Sequence, residues 1–600
     1  MNNSKRNRIR NRILICMAVA TLVVMLFLLA HVEQKASNST IKTPLDALWY
    51  FLATVTTVGY GDVSPVTPFG KAMGIFFILL SCGFISILIT SIIHFMNSSA
   101  ILRARIFLAR VDRWYIFDRY CPESVCLARQ LSAMPEDNGF IFCGAEHQIR
   151  DLFKFRCIFT SLSVDNVLSI CTSGKKNNSI PKPAVFLIGE NEESNLKTAL
   201  AISSADTDFE SCRTVSASEA FNNGAASVTD PDKVQIYCRT CVRFQTPPKG
   251  LHTFDPSELT ARAYWAENPL TRSEKNVILI GEGALINFLI EQAVLVNVFG
   301  PLLRCRYHIF SKNEESTRNS HTDESFMEDH PRITDVIDVV SVNTMVPPAE
   351  DPILMKNGIK SVSVEALQEE SGEAPANDTL CFHEEHWDSN HACLETADRI
   401  IICSSSEMDN IRIAEKIRLL CPTMARLFIF GNDSIDGVSG FGSLRQLYTP
   451  ERIMREELLR RAVALNEYYN SLQDDKYKKT CWEDLSMFSR RSNMAAADHM
   501  NTKIRILTGN LDRKTAVPID PDTTVLAINN FRENTVDREL CRRIEHERWM
   551  RFHYMYGWRY GKERDNERRL HPLLVPFEQL TAKEQELDDI SWELISTLQD

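Results

Sequence analysis

Apolar and polar positions along the chain fall into three successive rhythms. The first consists of two long apolar runs, Ile13 to Val32 and Phe69 to Met96, separated by a short amphipathic piece, Leu45 to Thr56, that Pro44 opens. At about 1.5 Å of rise per residue, about twenty apolar residues cross a hydrocarbon core of about 30 Å, so both runs predict membrane-spanning helices. The piece between them is too short to cross. With Asp46, Trp49 and Tyr50, it predicts a re-entrant helix whose C-terminal end carries partial negative charge.

The second rhythm begins at Asp112, where short β-branched or aromatic runs alternate with helical stretches, the pattern of βαβ units on a parallel sheet. Strands are expected at Trp114 to Phe117, Phe140 to Cys143, Ala184 to Ile188 and Val234 to Cys238. After a linker-like helical piece, Pro256 to Glu267, the order restarts at Val277 to Ile280, Arg304 to Phe310, Ile400 to Cys403 and Leu427 to Phe430. The last stretch is helical and aromatic, without strand alternation. The expected fold class is therefore a membrane α-helical domain (1–100), two cytosolic α/β Rossmann-like lobes (101–255 and 273–470) joined by a crossover helix (256–272), and a small mainly α-helical C-terminal domain (476–600). An acidic insertion at about 313–398 interrupts the second lobe.

Composition supports that division. Six hundred residues suggest about three to five domains, and 44% hydrophobic content leaves most of the chain aqueous. A net charge of -11 argues against a nucleic-acid partner, which would call for a basic stripe. Seventeen cysteines without a regular framework fit free thiols in a reducing cytosol better than disulfides or zinc. The basic start, Lys5, Arg6, Arg8, Arg10 and Arg12, could open a signal peptide, but the run that follows is too long and no small-residue cleavage site follows it. With Arg103, Arg105 and Arg110 after the second run, both ends are expected on the cytoplasmic side of a cell (inner) membrane crossed twice.

Between the apolar runs lies Thr56-Thr57-Val58-Gly59-Tyr60-Gly61-Asp62, which reads as an ion-selectivity filter. Stacked carbonyls can replace the hydration shell of potassium only where alternate residues take conformations that glycine tolerates, here Gly59 and Gly61. K+ is expected at Thr57, Val58, Gly59 and Tyr60, with Val58 and Tyr60 packed against the wall. A glycine turn between strands is the plain alternative, and the flanking apolar runs disfavour it. Helix, pore loop, filter and helix together resemble the two-helix potassium channels over residues 13–97. That resemblance implies a homotetramer in a lipid bilayer, with one pore shared by four chains. It also implies a gating hinge, but the usual hinge glycine is Ser81 here, with Gly83 two residues later. Ala53 stands where some relatives place a glutamate beside the residue matching Asp62.

The repeated lobes behind a pore resemble the tandem RCK (regulator of potassium conductance, TrkA-N-like) domains, over residues 112–470. By that resemblance the lobes pair into a ring of eight that a small cytosolic ligand biases. Gly281-Glu282-Gly283-Ala284-Leu285-Ile286 follows an expected strand and opens a helix, where a phosphate-binding turn belongs. Ile286 replaces the third glycine, and His308-Ile309-Phe310-Ser311 carries no ribose-binding carboxylate. A working nucleotide site and a retained tight turn both stay open. In the first lobe, Asp118-Arg119-Tyr120-Cys121-Pro122-Glu123-Ser124 has no glycine, so no nucleotide is expected there, or an atypical anion held by Arg119. The insertion carries many acids with His321, His330, His383, His386 and His391. A divalent-cation site is open there, but a solvated insertion is favoured because neither an EF-hand nor fixed metal spacing occurs.

Near the C-terminus stand Glu545-His546-Glu547-Arg548-Trp549, Gly557-Trp558-Arg559-Tyr560-Gly561, Arg564-Asp565 and His571-Pro572-Leu573-Leu574-Val575-Pro576. This order is similar to the ryanodine-receptor (RyR) repeat domain, most clearly from Leu540 to Leu598. Aromatic faces among guanidinium groups could stack a purine nucleotide and hold its phosphates, or form core and rim. His499, Lys503, His546, Arg548, Trp549, Trp558, Tyr560, Arg564 and His571 are the candidate ligand residues. A ligand-gated potassium channel, not an enzyme, is the expected function. The alternatives are a membrane-anchored NAD-dependent oxidoreductase, which lacks an intact glycine fingerprint, and a nucleotide-sensing regulator of transport.

Overall fold

In the computed structural model the described residues are 17, 20–79, 99–109, 111–144, 157–173, 183–210, 234–244, 248, 250–311, 322–342, 353–354, 359–362, 377–421, 425–431, 433–472, 479–533 and 536–599. The chain divides into two units, Met1–Ala109 and Arg110–Asp600.

In the first unit, helices at 20–33 and 68–79 flank the helix Pro44–Val55. Thr43 caps that short helix: its hydroxyl accepts from the Asp46 amide, and the Asp46 carboxylate accepts from the Thr43 amide at 2.8 Å, with Pro44 preset for the first turn. Leu26, Leu29, Ala47, Phe51, Val55 and Phe77 form the apolar core between the three helices. Among the described residues no helix is long and apolar enough to cross a membrane. The hinge positions Ser81 and Gly83 lie outside the described residues.

The second unit holds two parallel sheets. The first contains β1 (Arg113–Phe117), β2 (Asn138–Cys143), β3 (Cys157–Thr160), β4 (Ala184–Leu187), β5 (Gln235–Arg239) and β6 (Leu251–Phe254), in the order β3-β2-β1-β4-β5-β6. Buried runs such as Trp-Tyr-Ile-Phe in β1 suit a sheet covered on both faces. Phe159, Phe142, Phe117, Phe186, Tyr237 and His252 stack across six strands with ring centroids 4.9–5.4 Å apart. The core of this sheet is closed by residues far along the chain: Leu447, Tyr448 and Ile453 pack into it from the short helices Leu444–Leu447 and Pro450–Ile453. One Cys-x-x-Cys spacing does occur, with Cys238 buried in β5 and Cys241 exposed beyond it.

The second sheet contains β7 (Asn276–Gly281), β8 (Arg306–Phe310), β9 (Asp338–Val342), β10 (Ile353–Leu354), β11 (Lys360–Val362), β12 (Thr379–His383), β13 (Arg399–Cys403), β14 (Arg426–Phe430) and β15 (Ser439–Phe441), in the order β10-β11-β9-β12-β8-β7-β13-β14-β15. Only β10 runs antiparallel to its neighbour. The expected solvated insertion is corrected here, because β12 lies between β9 and β8 with all five residues buried. Acidic flanks obscured a short apolar strand.

The C-terminal helices share one core with this sheet. A single buried cluster runs from Ala261, through Leu289, Val294 and Tyr307, to Ile504, Phe552, Trp592 and Ile595. Buried polar contacts cross the same boundary: Arg262 to Asp498 at 2.8 Å, Arg491 to Glu258 at 2.7 Å, and the Thr502 hydroxyl to the Val296 carbonyl at 2.9 Å.

Candidate functional site

The helix Pro44–Val55 delivers the chain into the filter stretch. The Ala53 carbonyl accepts from the amides of Val58 and Gly59 at 3.0 and 3.1 Å, and the Thr54 carbonyl from Thr57 at 3.1 Å, which ties the filter to the helix end. Backbone φ is +59° at Thr57, +56° at Gly59 and +73° at Gly61. Left-handed residues alternating with ordinary ones turn successive peptide carbonyls toward one side. Thr57 shares the alternation that sequence reasoning assigned to the two glycines, and its hydroxyl turns back to the Thr56 carbonyl at 2.7 Å. At the other end the Trp49 indole N–H donates to Asp62 Oδ2 at 3.1 Å, and its ring lies parallel to Tyr60 at 5.8 Å. The helix therefore braces both ends of the filter.

One residue of this site escaped the sequence reading. Glu33, buried at the end of the first helix, accepts from the Ser39 hydroxyl, the Val66 and Thr67 amides and the Thr67 hydroxyl at 2.5–3.1 Å. A Cβ on Gly70 would lie 2.1 Å from its Oε1. Glu33 thus anchors the segment that leaves the filter. The signal was a lone carboxylate ending an apolar run.

In the second lobe, the turn Gly281-Glu282-Gly283 does join β7 to the helix Ala284–Val296. Gly283 has φ +79° and open space around it, whereas a Cβ on Gly281 would lie 2.5 Å from the Cys403 carbonyl oxygen. Gly281 is a packing glycine between β7 and β13. In the first lobe, a crevice of about 290 Å³ opens at the sheet's topological switch point, beside Asp118, Arg119, Gly144 and Asn195. Asp118 there accepts from the Ile188 and Gly189 amides at 3.0 and 3.2 Å and pairs with Arg119 at 3.2 Å. A larger cleft of about 620 Å³ lies between β5, β6, the helix Pro256–Glu267 and the helix Met487–Asp498, lined by Arg243, Arg490, Arg491, His252 and Trp482 among others.

The nine C-terminal candidates divide into two sets. His499, Lys503 and Arg548 are buried, as is Glu545, which receives Lys503 Nζ at 2.8 Å and Arg548 at 2.6 Å. Burial alone would raise the Glu545 carboxyl, but Arg548 and Lys503 beside it outweigh that and hold it far below the usual range, while burial and Glu545 push Asp588 up to about 8. His499 donates to the Val298 carbonyl at 3.0 Å, and His546 to the Val575 carbonyl at 2.8 Å. In this structure these four engage protein groups within the domain. The second set adjoins the first, with Trp549 stacked on His546 at 5.8 Å. Trp549 packs on His553 at 4.0 Å and edge-on to His571 at 4.9 Å, with Trp558 buried alongside and Tyr560 and Arg564 exposed.

The braced filter and the two parallel sheets define an ion-channel domain followed by α/β lobes. Residues 13–98 match the ion-channel family model, and residues 518–599 match the RyR domain model. Over 66 residues the chain is 46% identical to a voltage-gated potassium channel of Aeropyrum pernix, covering 11% of this chain and 22% of that protein. It is 36% identical over 52 residues to two-pore potassium channel 5 of Arabidopsis thaliana (9% and 13%) and 31% identical over 81 residues to the calcium-gated potassium channel TvoK of Thermoplasma volcanium (14% and 20%). The chain thus spans less than a quarter of the length of each of these relatives. Among solved structures, the GsuK channel aligns with 74% of this chain and 98% of that one at a TM-score of 0.30 and 11% identity, and GsuK bound to ADP with 74% and 99% at the same score and identity.

Proposed function

We propose that the chain is one subunit of a homotetrameric, potassium-selective channel of a cell membrane, with both termini cytoplasmic, gated by a small ligand acting on its α/β lobes. The carrying observation is the alternation of left-handed backbone at Thr57, Gly59 and Gly61, braced by Ala53 on one side and Trp49 on the other. Four such stretches around an axis supply rings of carbonyl oxygens that nearly balance potassium dehydration. The hinge at Ser81 and Gly83 belongs to this reading, as do tandem RCK lobes forming a ring of eight. No covalent chemistry is required of the chain. A purine nucleotide is the proposed ligand class, taken at the aromatic set Trp549, Trp558, Tyr560, Arg564 and His571 or at the turn Gly281-Glu282-Gly283. A ligand that prefers one ring conformation by a few kcal/mol shifts the open population.

The test is flux through the purified full chain in bilayers. Potassium passes in preference to sodium, and a folded Gly59→Asp variant passes neither. Potassium flux that survives Gly59→Asp overturns the assignment. Nucleotide added to the lobe side changes open probability in the wild type, and no response across that ligand class rejects the proposed ligand while leaving the pore intact.

A further inference from the structure

Away from the filter and the turns, two strands and a helix of the second lobe converge on a side-chain constellation. His308 lies in β8 and His383 in β12, which pair in parallel with Cys381 opposite His308 and His383 opposite Phe310. His308 and His383 meet through Nδ1 and Nε2 at 3.0 Å, with ring centroids 5.2 Å apart. Cys393, in the helix His391–Glu395, reaches the same point: one donor atom from each of the three residues lies within 4.8 Å of the others. His383 and Cys393 are buried and His308 is half-buried. Phe310 stacks on His383 at 4.1 Å, and Trp387 and Leu394 complete an apolar wall.

We infer that His308, His383 and Cys393 form a binding site for a borderline-soft transition ion of the Zn2+ class. Two imidazole nitrogens and one sulfur suit such an ion and do not suit Ca2+ or Mg2+, which take oxygen. Tetrahedral zinc holds its nitrogen ligands at about 2.0–2.1 Å and sulfur at about 2.3 Å, so neighbouring donors stand roughly 3.3–3.6 Å apart. The two rings already stand near that spacing, and Cys393 needs a shift on the order of 1 Å. A histidine pair held only for packing needs no thiol at the same point.

Binding balances as follows. The hydrogen between the rings moves to His383 Nδ1, which here accepts from Asn390 Nδ2 at 3.3 Å, so the Asn390 amide turns to present its oxygen to that proton. The Cys393 thiol releases its proton to solvent, and two metal–nitrogen bonds and one metal–sulfur bond form, leaving a fourth position for water. The ion would fasten β8 and β12 to the helix His391–Glu395.

The test uses metal-stripped full chain in detergent, with Zn2+ in competition with a chromophoric chelator and Co2+ as a spectroscopic probe. Wild type is expected to take up a Co2+ ion showing thiolate-to-cobalt charge transfer. Cys393→Ala and the near-isosteric Cys393→Ser lose that band. His308→Gln keeps a band but weakens Zn2+ by more than the roughly 10–100-fold that loss of an outer partner costs. Zn2+ raises the melting temperature of wild type and not of the variants. Absence of the charge-transfer band in wild type, or an unchanged band and affinity in either Cys393 variant, overturns the site.

Discussion

Arg551 is fully buried with Nη1 2.7 Å from Asp378 Oδ2, joining the helix Arg538–Met555 to the residue that leads into β12. Asp378 also accepts from the Cys305 amide at 2.8 Å, and Arg551 donates to the Val294 carbonyl at 3.2 Å. Arg551→Met strands a buried carboxylate and is expected to cost about 3–5 kcal/mol. Chemical denaturation of the full chain measures it, and adding Asp378→Asn restores part of the loss. Residues 476–600 expressed alone are expected not to fold, read as a collapsed amide spectrum by NMR.

Trp49 supports the outer end of the filter through one hydrogen bond. Trp49→Phe keeps the ring over Tyr60 and removes the donor to Asp62, a loss of about 1 kcal/mol. Potassium currents in bilayers are expected to decay faster, with the potassium-to-sodium permeability ratio unchanged.

Glu33→Ala leaves the Val66 and Thr67 amides and two hydroxyls without their acceptor. The buried Ser39 hydroxyl so stranded costs about 1–3 kcal/mol, and the part-buried donors of Val66 and Thr67 less each. The variant is expected to lose assembly and flux together, as seen by size-exclusion chromatography beside a flux assay. Glu33→Gln, which retains one oxygen, is expected to fall between.

The two glycines of the second-lobe turn are expected to separate. Gly281→Ala forces the Cys403 backbone aside and destabilises by about 1–3 kcal/mol. Gly283→Ala meets no neighbouring atom, but its backbone at φ +79° and ψ −161° lies in a region essentially restricted to glycine, a cost of about 1–3 kcal/mol. Nucleotide response lost in Gly283→Ala but kept in Gly281→Ala, at comparable melting temperatures, would assign the turn a binding role.

Burial holds His553 down at about 3 and His571 at about 4, and His571 Nδ1 accepts from the Leu573 amide, a bond only the neutral ring can take. The unfolded chain, with imidazoles near 6.5, therefore binds the extra protons. Stability is full above about pH 6.5 and is lost as pH falls through 4 toward 3. Melting curves across that window are expected to fall less steeply for His553→Gln and His571→Gln than for wild type.

Much of this architecture is legible in the sequence because periodicity reports it directly. Each of the eight strand runs from Trp114 to Phe430 is matched by a strand shifted by no more than two residues at either end. Thr379–His383 was not legible, since five buried residues between acid-rich flanks give too short a signal. The pairing of Lys503 with Glu545 was hidden for another reason: charges on amphipathic helices look alike whether they meet water or each other across a core. The filter was the clearest stretch of all, yet its anchor Glu33 needed coordinates, because its partners Val66 and Thr67 lie more than thirty positions away.

Neither α/β lobe finishes itself. The first sheet closes only when Leu447, Tyr448 and Ile453 return to it, and the second only when Trp592, Leu594 and Ile595 arrive. Chains emerge from the ribosome N-terminus first. The first helices are therefore made while both sheets still expose apolar faces, and the second cluster stays open until residues 592–595 have been added. A stop codon at Asp589 would remove Trp592, Leu594 and Ile595 and leave the shared core of the second sheet and the C-terminal helices incomplete, with the filter stretch already made.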